Sequence, residues 1–231
     1  MARQQPERRD PPVSWLCLRY SKLGPARFTS ARDIARLFER AIKRAGLPVA
    51  YSSGFSPHQR ISYAFPAPTG AASHAEFMLI GLSAAAPASQ LCDALNAQLP
   101  DGLQATAAEL TDDRHLPHRL EASEWLIGWP LADGLPGLPQ AVQVFVSSRE
   151  VFIDRPAKSQ TTRQDIRGAI VLMEAGDGLS VVLKQSEPLI RPSDVLAGLV
   201  GFCPAVTDWG RPMLSRLAQG WLDDHHVVNL I

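Results

Sequence analysis

The chain has 231 residues, with 23 Lys+Arg balanced by 23 Asp+Glu, and 45% of its residues are hydrophobic. This length gives room for one large domain or two small ones, each with its own core. No apolar run reaches about 18 residues and the N-terminus lacks the apolar stretch of a secretory signal, so we expect a cytoplasmic protein without membrane segments.

The charges are unevenly distributed along the chain. Residues 1–60 hold 12 Lys+Arg against 4 Asp+Glu, a balance of +8, whereas the remaining 171 residues hold 11 against 19, a balance of −8. One interpretation is that the basic part contacts a polyanion. The other is that two oppositely charged faces of the protein dock on each other.

Three cysteines, Cys17, Cys92 and Cys203, lie far apart in the sequence. Their spacing fits no zinc knuckle, redox dithiol or disulfide framework, so we expect each to be a small buried side chain. Closely spaced thiolates are needed to hold an iron–sulfur cluster. The sequence therefore predicts no cluster, no metal site and no other cofactor.

The N-terminal segment begins with polar residues and continues into an apolar one. Residues 1–12 combine Gln, Pro, Arg and Glu without an apolar period, which predicts a disordered tail because burial cannot offset the entropy of ordering it. Residues 13–20 are apolar and aromatic enough for a strand buried on most of its surface. A turn signal follows at residues 21–25.

The next segment is the clearest helix. Apolar residues recur there at spacings of three and four: Ile34, Leu37, Phe38, Ala41, Ile42 and Ala45. Ser30 marks its start, and Gly46 with Pro48 marks its end. Four cations share another face and form what we call the cationic stripe: Arg32, Arg36, Arg40 and Lys43.

Further elements complete a compact pattern. Residues 60–65 and 75–82 read as two strands of a hairpin, residues 87–99 as a second amphipathic helix and residues 104–110 as a fourth strand. The order strand–helix–strand–strand–helix–strand is that of the split βαβ motif. We therefore predict an α+β fold whose N-terminal domain, residues 13–111, is ferredoxin-like, with one sheet face covered by helices and the other free for a ligand.

A polar segment, residues 111–118, leads to the second half of the chain. Residues 119–231 are predicted to form a second, similar α+β domain. Its strands are expected at residues 124–129, 151–154, 169–173 and 179–183, and its helices near residues 139–146 and after Ser193. The run Val144–Val146 fits a strand equally well.

Between the first helix and the second strand lies a segment, residues 51–60, rich in residues with special properties: Tyr51, Gly54, Phe55, Pro57, His58 and Arg60. Aromatic rings beside cations suit single-stranded RNA, whose bases stack and whose phosphates need neutralising. Alternatively, the two aromatics belong to the core and His58 holds a backbone carbonyl. Both interpretations stay open.

A second polar segment, residues 158–167, interrupts two predicted strands. Its cations Lys158, Arg163 and Arg167 are suited to phosphates or to a partner's carboxylates. The alternative is a solvated hairpin tip.

The chain contains no recognisable nucleophile motif, phosphate-binding glycine loop or metal-binding helix pair, so we do not expect catalysis by this chain alone. His115, His118, His225 and His226 are read as solvated linker and tail residues. One catalytic alternative stays open, in which His58 is the general base of a metal-independent endoribonuclease.

Three blocks in order resemble the radical SAM-linked protein family, a family of unknown function found beside or fused to radical SAM proteins. They are Leu-Arg-Tyr-Ser-Lys-Leu-Gly-Pro-Ala-Arg-Phe-Thr-Ser at residues 18–30, the matching pieces of residues 38–48, and Tyr-Ser-Ser-Gly-Phe-Ser-Pro-His-Gln-Arg-Ile-Ser-Tyr-Ala at residues 51–64. One departure concerns Ala31, because the family usually has histidine there.

The resemblance implies an accessory protein of a radical SAM enzyme, one that binds RNA or presents it for modification. On this reading the radical SAM protein is the partner and RNA is the further ligand. The residues predicted to bind RNA or the partner are Lys22, Arg27, Arg36, Arg40, Lys43, Tyr51, Gly54, Phe55, His58, Arg60, Lys158, Arg163 and Arg167.

Overall fold

A computed structural model describes residues 9–130, 134–156 and 161–231. The chain divides into two compact units, unit 1 up to Arg119 and unit 2 from Leu120 to Leu230. Both contain strands and helices, so the predicted α+β class is confirmed. Among the described residues, no helix is both long and apolar enough to cross a membrane.

Unit 1 follows the predicted order of elements. They are β1 (Ser14–Lys22), α1 (Ala31–Arg44), β2 (Ile61–Ala64), β3 (Ala72–Leu82), α2 (Ala88–Asn96), β4 (Leu103–Thr111) and the short α3 (Leu116–Arg119). The strands pair in the order β4-β1-β3-β2, and every pair is antiparallel. The ferredoxin-like assignment itself stays a prediction.

Helix α1 is built as its sequence pattern predicts. The Ser30 hydroxyl accepts a hydrogen bond from the Asp33 backbone N–H at 3.2 Å, which satisfies one of the open donors of the first turn. The apolar face is buried against one face of the sheet, where the Phe38 and Tyr20 rings meet edge to face at 4.6 Å. Burial of a large apolar side chain contributes about 1.5–3 kcal/mol, so this face anchors the helix.

The opposite sheet face is not the open ligand platform that we expected. Cys17, Phe77 and Leu79 are directed away from the helix-covered core, yet each is at most 2% exposed. Eight consecutive residues of β3, from Ala75 to Leu82, are buried. Uninterrupted burial of this kind is typical of strands that are covered on both faces. These three side chains therefore offer no open surface to a ligand.

The tail prediction for residues 1–12 extends beyond the described residues, which start at Arg9. The described part contacts unit 1, since the Arg9 backbone N–H donates to the Ser53 hydroxyl at 3.0 Å. The Val13 N–H donates to the Leu82 carbonyl at 2.8 Å. The backbone N–H groups of Arg9 and Val13 thus bond to the loop after α1 and to β3, and the disorder expected of the tail stays a prediction.

Unit 2 contains more strands than the sequence pattern predicts. They are β5 (Ala122–Gly128), α4 (Leu138–Ser147), β6 (Phe152–Arg155), β7 (Thr162–Asp165), β8 (Ile170–Ala175), β9 (Leu179–Lys184), α5 (Pro192–Val200), β10 (Met213–Asp223) and β11 (His226–Asn229). β10 pairs with β5 and β11, β5 with β9, and β9 with β8, while β6 and β7 form a separate hairpin.

Two points in unit 2 were decided by the structure. The helix predicted near residues 139–146 is present as α4, with Phe145 fully buried on its inner face, so the strand alternative for Val144–Val146 is wrong. The C-terminal hairpin of β10 and β11 was missed. Buried Arg216 and Gln219 interrupt the apolar alternation of β10, and the Arg216 guanidinium donates to the Gln219 side-chain carbonyl at 2.7 Å, a contact that only the fold reveals.

Candidate functional site

The cationic stripe lies on the solvent side of α1. Arg32, Arg36, Arg40 and Lys43 are all exposed, because the buried residues of the helix occupy the opposite side. Arg36 approaches the Asp33 carboxylate at 3.4 Å, a contact between two exposed side chains. Exposed pairs of this kind are worth about 0–1 kcal/mol, so they leave the stripe available to a polyanion.

The segment after α1 forms a closed loop, which we call the aromatic loop (residues 51–60). Tyr51 and Gln59 form a β-bridge at its base, and the Ser52 N–H donates to the His58 carbonyl at 2.8 Å. Gly54 sits at the tip with φ of +122°, a conformation that favours glycine. These bonds hold the tip away from the core.

The side chains of this loop differ in exposure. Phe55 is 74% exposed, so it is presented to solvent and does not belong to the core. Tyr51 is half-buried, with the Arg9 guanidinium 5.4 Å from its ring centre. Arg60 lies at the base, where its Nε–H donates to the Tyr51 carbonyl at 3.4 Å.

His58 is exposed and belongs to the hydrogen bonds that close the loop. Its Nδ1 lies 2.8 Å from the Ser52 hydroxyl, which also accepts from the His58 backbone N–H at 3.1 Å. The ring therefore contacts a hydroxyl of its own loop instead of the backbone carbonyl that the alternative assumed. This geometry fixes the ring orientation at the loop base.

Two further predicted binding residues of unit 1, Lys22 and Arg27, differ in burial and in their contacts. Lys22 is only 3% exposed, and its ammonium group donates to the carbonyls of Ala67 and Pro68 at 3.2 and 3.3 Å. Arg27 lies half-buried with its guanidinium 4.6 Å from the ring centre of Phe28, which is 61% exposed. Phe28 is therefore an exposed ring with a cation beside it, a feature that the sequence pattern did not indicate.

Lys22 lines a cavity of about 130 Å³ in unit 1. The residues around this cavity are Tyr20, Lys22, Ala31, Ile34, Tyr63, Pro66, Ala67 and Glu76. Lys22 and Glu76 are buried and form its floor, whereas Ala31 and Pro66 are exposed at its rim. The site thus combines apolar walls with a charged floor.

The floor of the cavity is organised around Ala67. The Glu76 carboxylate accepts from the Ala67 N–H at 3.0 Å, and the Lys22 ammonium donates to the carbonyl of the same residue. Burial, and to a smaller extent the Glu39 carboxylate, raises the pKa of Tyr63 well above its usual value. The phenol in the wall therefore stays neutral at physiological pH, with its hydroxyl 3.5 Å from the Ala35 carbonyl.

Sequence reasoning missed Glu76, Tyr63 and Tyr20 as potential site residues. A signal existed for Glu76, because a carboxylate within the apolar run of β3 is rarely buried without a specific partner. Tyr20 and Tyr63 carry no comparable signal, since aromatic residues in strands are usually core residues.

The predicted binding residues of unit 2 are less available. Lys158 lies outside the described residues. Arg163 is exposed with its guanidinium 4.3 Å from the Phe152 ring centre, across the β6–β7 hairpin. Arg167 donates two hydrogen bonds to the Val146 carbonyl and one to that of Ile170, so its guanidinium is engaged in holding the backbone.

The cysteines occupy packed positions. Cys17 and Cys203 are buried, and burial raises the pKa of the Cys17 thiol to about 11, an effect that Arg119 partly offsets. Burial also raises the pKa of Cys92. In the part of the chain that the structure describes, no group of three or more His, Cys, Asp or Glu is placed to hold a metal ion.

Comparison with known protein families gives a match over most of the chain. Residues 16–192, more than half of the chain, match a family described as an uncharacterized protein conserved in bacteria. No curated protein matches the chain. The matched range includes the cationic stripe, the aromatic loop and the cavity.

Proposed function

We propose that this chain, which belongs to the uncharacterized bacterial family DUF2344, binds single-stranded RNA through unit 1 and presents it to a radical SAM enzyme. The observation that carries the RNA-binding part is the exposed Phe55, held at the tip of a closed loop that directly follows the cationic stripe. An exposed ring held at a loop tip offers a face on which a nucleobase can stack.

The stripe supports the proposal through electrostatics. Its four cations lie along one face of a single helix, so each successive turn offers a positive charge to a phosphate backbone. Lys and Arg that neutralise phosphates release condensed counterions, which makes binding fall as salt rises. The contacts are not base-specific, so the stripe positions RNA without selecting its sequence.

The partner assignment is supported by the resemblance of residues 18–64 to radical SAM-linked proteins. Two of the three cysteines are buried, and burial opposes formation of the Cys17 thiolate that cluster ligation would require. We therefore assign the radical chemistry to a separate enzyme and the binding of the RNA to this chain.

The decisive experiment measures binding of a single-stranded RNA of about 12 nucleotides at several salt concentrations. Replacing Arg36, Arg40 and Lys43 together with Glu should lower affinity by about 100-fold or more and reduce the salt slope by about three. The matched control replaces Arg149, Lys184 and Arg211 of unit 2 with Glu, the same change in net charge at exposed positions.

The control should alter affinity by less than about threefold, because only long-range electrostatics changes. Equal losses in both triple variants would mean that net charge alone attracts RNA. Unchanged binding by the stripe variant would show that the stripe is a solvated helix face.

The partner assignment is tested separately by affinity purification from native cells, with identification of the proteins and RNA recovered. We expect the wild type to recover both a cysteine-rich radical SAM protein and RNA. The stripe variant should still recover the radical SAM protein but not the RNA. Recovery of RNA with no radical SAM protein would leave an RNA-binding protein and remove the accessory role.

A further inference from the structure

We infer that RNA bound by unit 1 stacks one base on Phe28 and another on Phe55, while the phosphates between these bases contact the cationic stripe. The inference rests on the proposed RNA binding and deepens it by a second stacking ring and a minimum length of RNA. It starts from exposure, since Phe28 at 61% and Phe55 at 74% are the exposed phenylalanines among those described in unit 1.

The surroundings of Phe28 leave its ring accessible. The Arg27 guanidinium lies 4.6 Å from the ring centre and can cover only one face. With 61% of the residue exposed, the other face is open to a base. Arginine beside an aromatic ring adds cation–π attraction, and its charge can neutralise the phosphate of the base that stacks there. Phe28 and Arg27 together therefore offer what one nucleotide needs.

The backbone fixes the two rings at opposite ends of α1. A short 3-10 turn leads from Lys22, the last residue of β1, to Phe28 just before the helix. The aromatic loop follows the helix, and the Ala50 N–H beside it donates at 2.8 Å to the carbonyl of Gly81, which pairs with Trp15 near the start of β1. A strand extends about 23 Å over the seven steps from Trp15 to Lys22. The 3-10 turn and the base of the aromatic loop are therefore separated by about this distance.

The cationic stripe occupies the interval between the rings. α1 has 14 residues that rise about 1.5 Å each, so the helix is about 21 Å long and carries its four cations on the solvent side. A stacked strand advances about 3.4 Å per nucleotide, so about six steps cover this length, and fewer are needed where bases are splayed apart. We therefore expect an RNA of about five to seven nucleotides to engage both rings.

A protein surface is the other class of occupant that two exposed rings suit, but the charges favour RNA. Protein interfaces bury their apolar anchors at a centre that is depleted of charged residues. The four cations of the stripe lie along the helix between the rings, so a protein that covered both rings would also bury these charges. A nucleic acid strand places phosphates there while its bases reach the rings.

The test compares a uridine trinucleotide with a uridine dodecanucleotide, of which only the longer probe can reach both rings. Fluorescence anisotropy measures their binding to the wild type, Phe28→Ala, Phe55→Ala and the double variant. Phe152→Ala is the matched control, because Phe152 is also an exposed ring near a guanidinium but belongs to a hairpin of unit 2. All three rings are exposed, so the thermal stability of these variants should match that of the wild type.

For the dodecanucleotide, Phe28→Ala should weaken binding about 5- to 100-fold, as the loss of one stacked base predicts. The loss in the double variant should be about the product of the two single losses, since the rings are well separated. The trinucleotide can use either ring, so each single variant should lower its affinity by only about twofold. An equal loss for both probes in Phe28→Ala would mean that the RNA does not bridge the two rings.

Two further variants separate base stacking from apolar packing. Phe28→Tyr keeps an aromatic face and should bind the dodecanucleotide within about threefold of the wild type. Phe28→Leu keeps the apolar bulk without the aromatic face, so it should lose as much affinity as Phe28→Ala. Retention of wild-type binding by Phe28→Leu would refute stacking on this ring.

The outcomes also distinguish this inference from the proposed function. If the stripe variant loses the dodecanucleotide but Phe28→Ala binds it like the wild type, RNA binding stands and the second stacking ring is wrong. If Phe28→Ala in addition no longer recovers the radical SAM protein from native cells, the ring contacts that protein instead of RNA. If the wild type binds no oligonucleotide, both proposals are wrong.

Discussion

Units 1 and 2 use their arginines in opposite ways. On α1 of unit 1, Arg36 and Arg40 are exposed, and Arg36 makes a 3.4 Å ion pair with Asp33 one turn away. In unit 2, Arg155 pairs with Asp194, while Arg167 donates to main-chain carbonyls and so holds the fold together. The difference shows that an arginine stays available to a ligand where it is exposed and only weakly paired, and not where it holds main-chain carbonyls or a largely buried carboxylate.

The aromatic side chains give the same contrast. Phe55 stands 74% exposed at a loop tip, whereas Phe152 of unit 2 lies on a strand with the Arg163 guanidinium over its ring. Phe55 and Phe152 therefore have different surroundings, whereas Phe28 of unit 1 resembles Phe152 in having a guanidinium, that of Arg27, near its ring. Four predictions test this comparison.

The largest expected effect concerns the arginine that holds unit 2 together. Arg155→Met should lower the free energy of unfolding by about 2–4 kcal/mol, because it leaves the largely buried Asp194 carboxylate without its guanidinium. Arg40→Met on α1 is the matched control and should change the free energy of unfolding by less than about 0.5 kcal/mol. Urea denaturation measures both, and equal effects would remove the contrast between the units.

The second prediction concerns the interior of unit 1. The unfolded Cys17 thiol has a pKa of 9.0 and the folded one about 11, so between these values the unfolded chain releases a proton that the folded chain keeps. The contribution of the Cys17 thiol to the free energy of unfolding is therefore fully present below pH 9. It falls by about 2–3 kcal/mol as the pH rises towards 11.

Cys17→Ala should weaken this pH dependence while lowering stability at pH 7 through the lost packing. Denaturation at pH 7, 9 and 10.5 measures both effects. The pKa explanation would be wrong if the variant lost stability between pH 9 and 10.5 as steeply as the wild type.

The third prediction compares Phe55 of unit 1 directly with Phe152 of unit 2, both of which are exposed. Phe55→Ala should weaken RNA binding about 5- to 100-fold, since stacking of one base contributes about 1–3 kcal/mol. Its thermal stability should stay unchanged because the ring is exposed. Phe152→Ala should leave RNA binding unchanged. A loss of affinity in Phe152→Ala that matches Phe55→Ala would place the RNA on both units.

The smallest effect is expected at His58. Its ring holds the base of the aromatic loop through Ser52, so His58→Ala should weaken RNA binding about 2- to 10-fold. Wild-type protein should leave RNA uncut in the presence of EDTA, as seen by denaturing gel electrophoresis. Specific cleavage by the wild type that disappears in His58→Ala would favour the endoribonuclease over the binding protein.

Elements governed by local patterns were predicted best. The cap at Ser30 and the apolar spacing from Ile34 onward placed α1 within one or two residues. The α+β class followed from similar patterns in the other elements. β10 was missed, because its buried Arg216 and Gln219 look like surface residues until their mutual hydrogen bond is known.

The sequence by itself determined which residues of α1 face solvent and that residues 51–60 form a loop, whereas it left the exposure of Phe55 open. Helical spacing separates the apolar face from the cationic stripe, and Gly54 with Pro57 requires a loop where Phe55 stands. Both are consequences of local backbone geometry, which nearby residues specify.

Only the tertiary structure decided that Lys22 is buried and that Glu76 shares a cavity with it. The carbonyls that accept from Lys22 belong to residues more than 40 positions along the chain, and the rim at Ala31 comes from yet another element. Charge and hydropathy describe one residue at a time, whereas burial of a charge depends on partners that long-range packing brings to it. A lysine at the end of an apolar strand therefore looked like a surface cation until the fold supplied its acceptors.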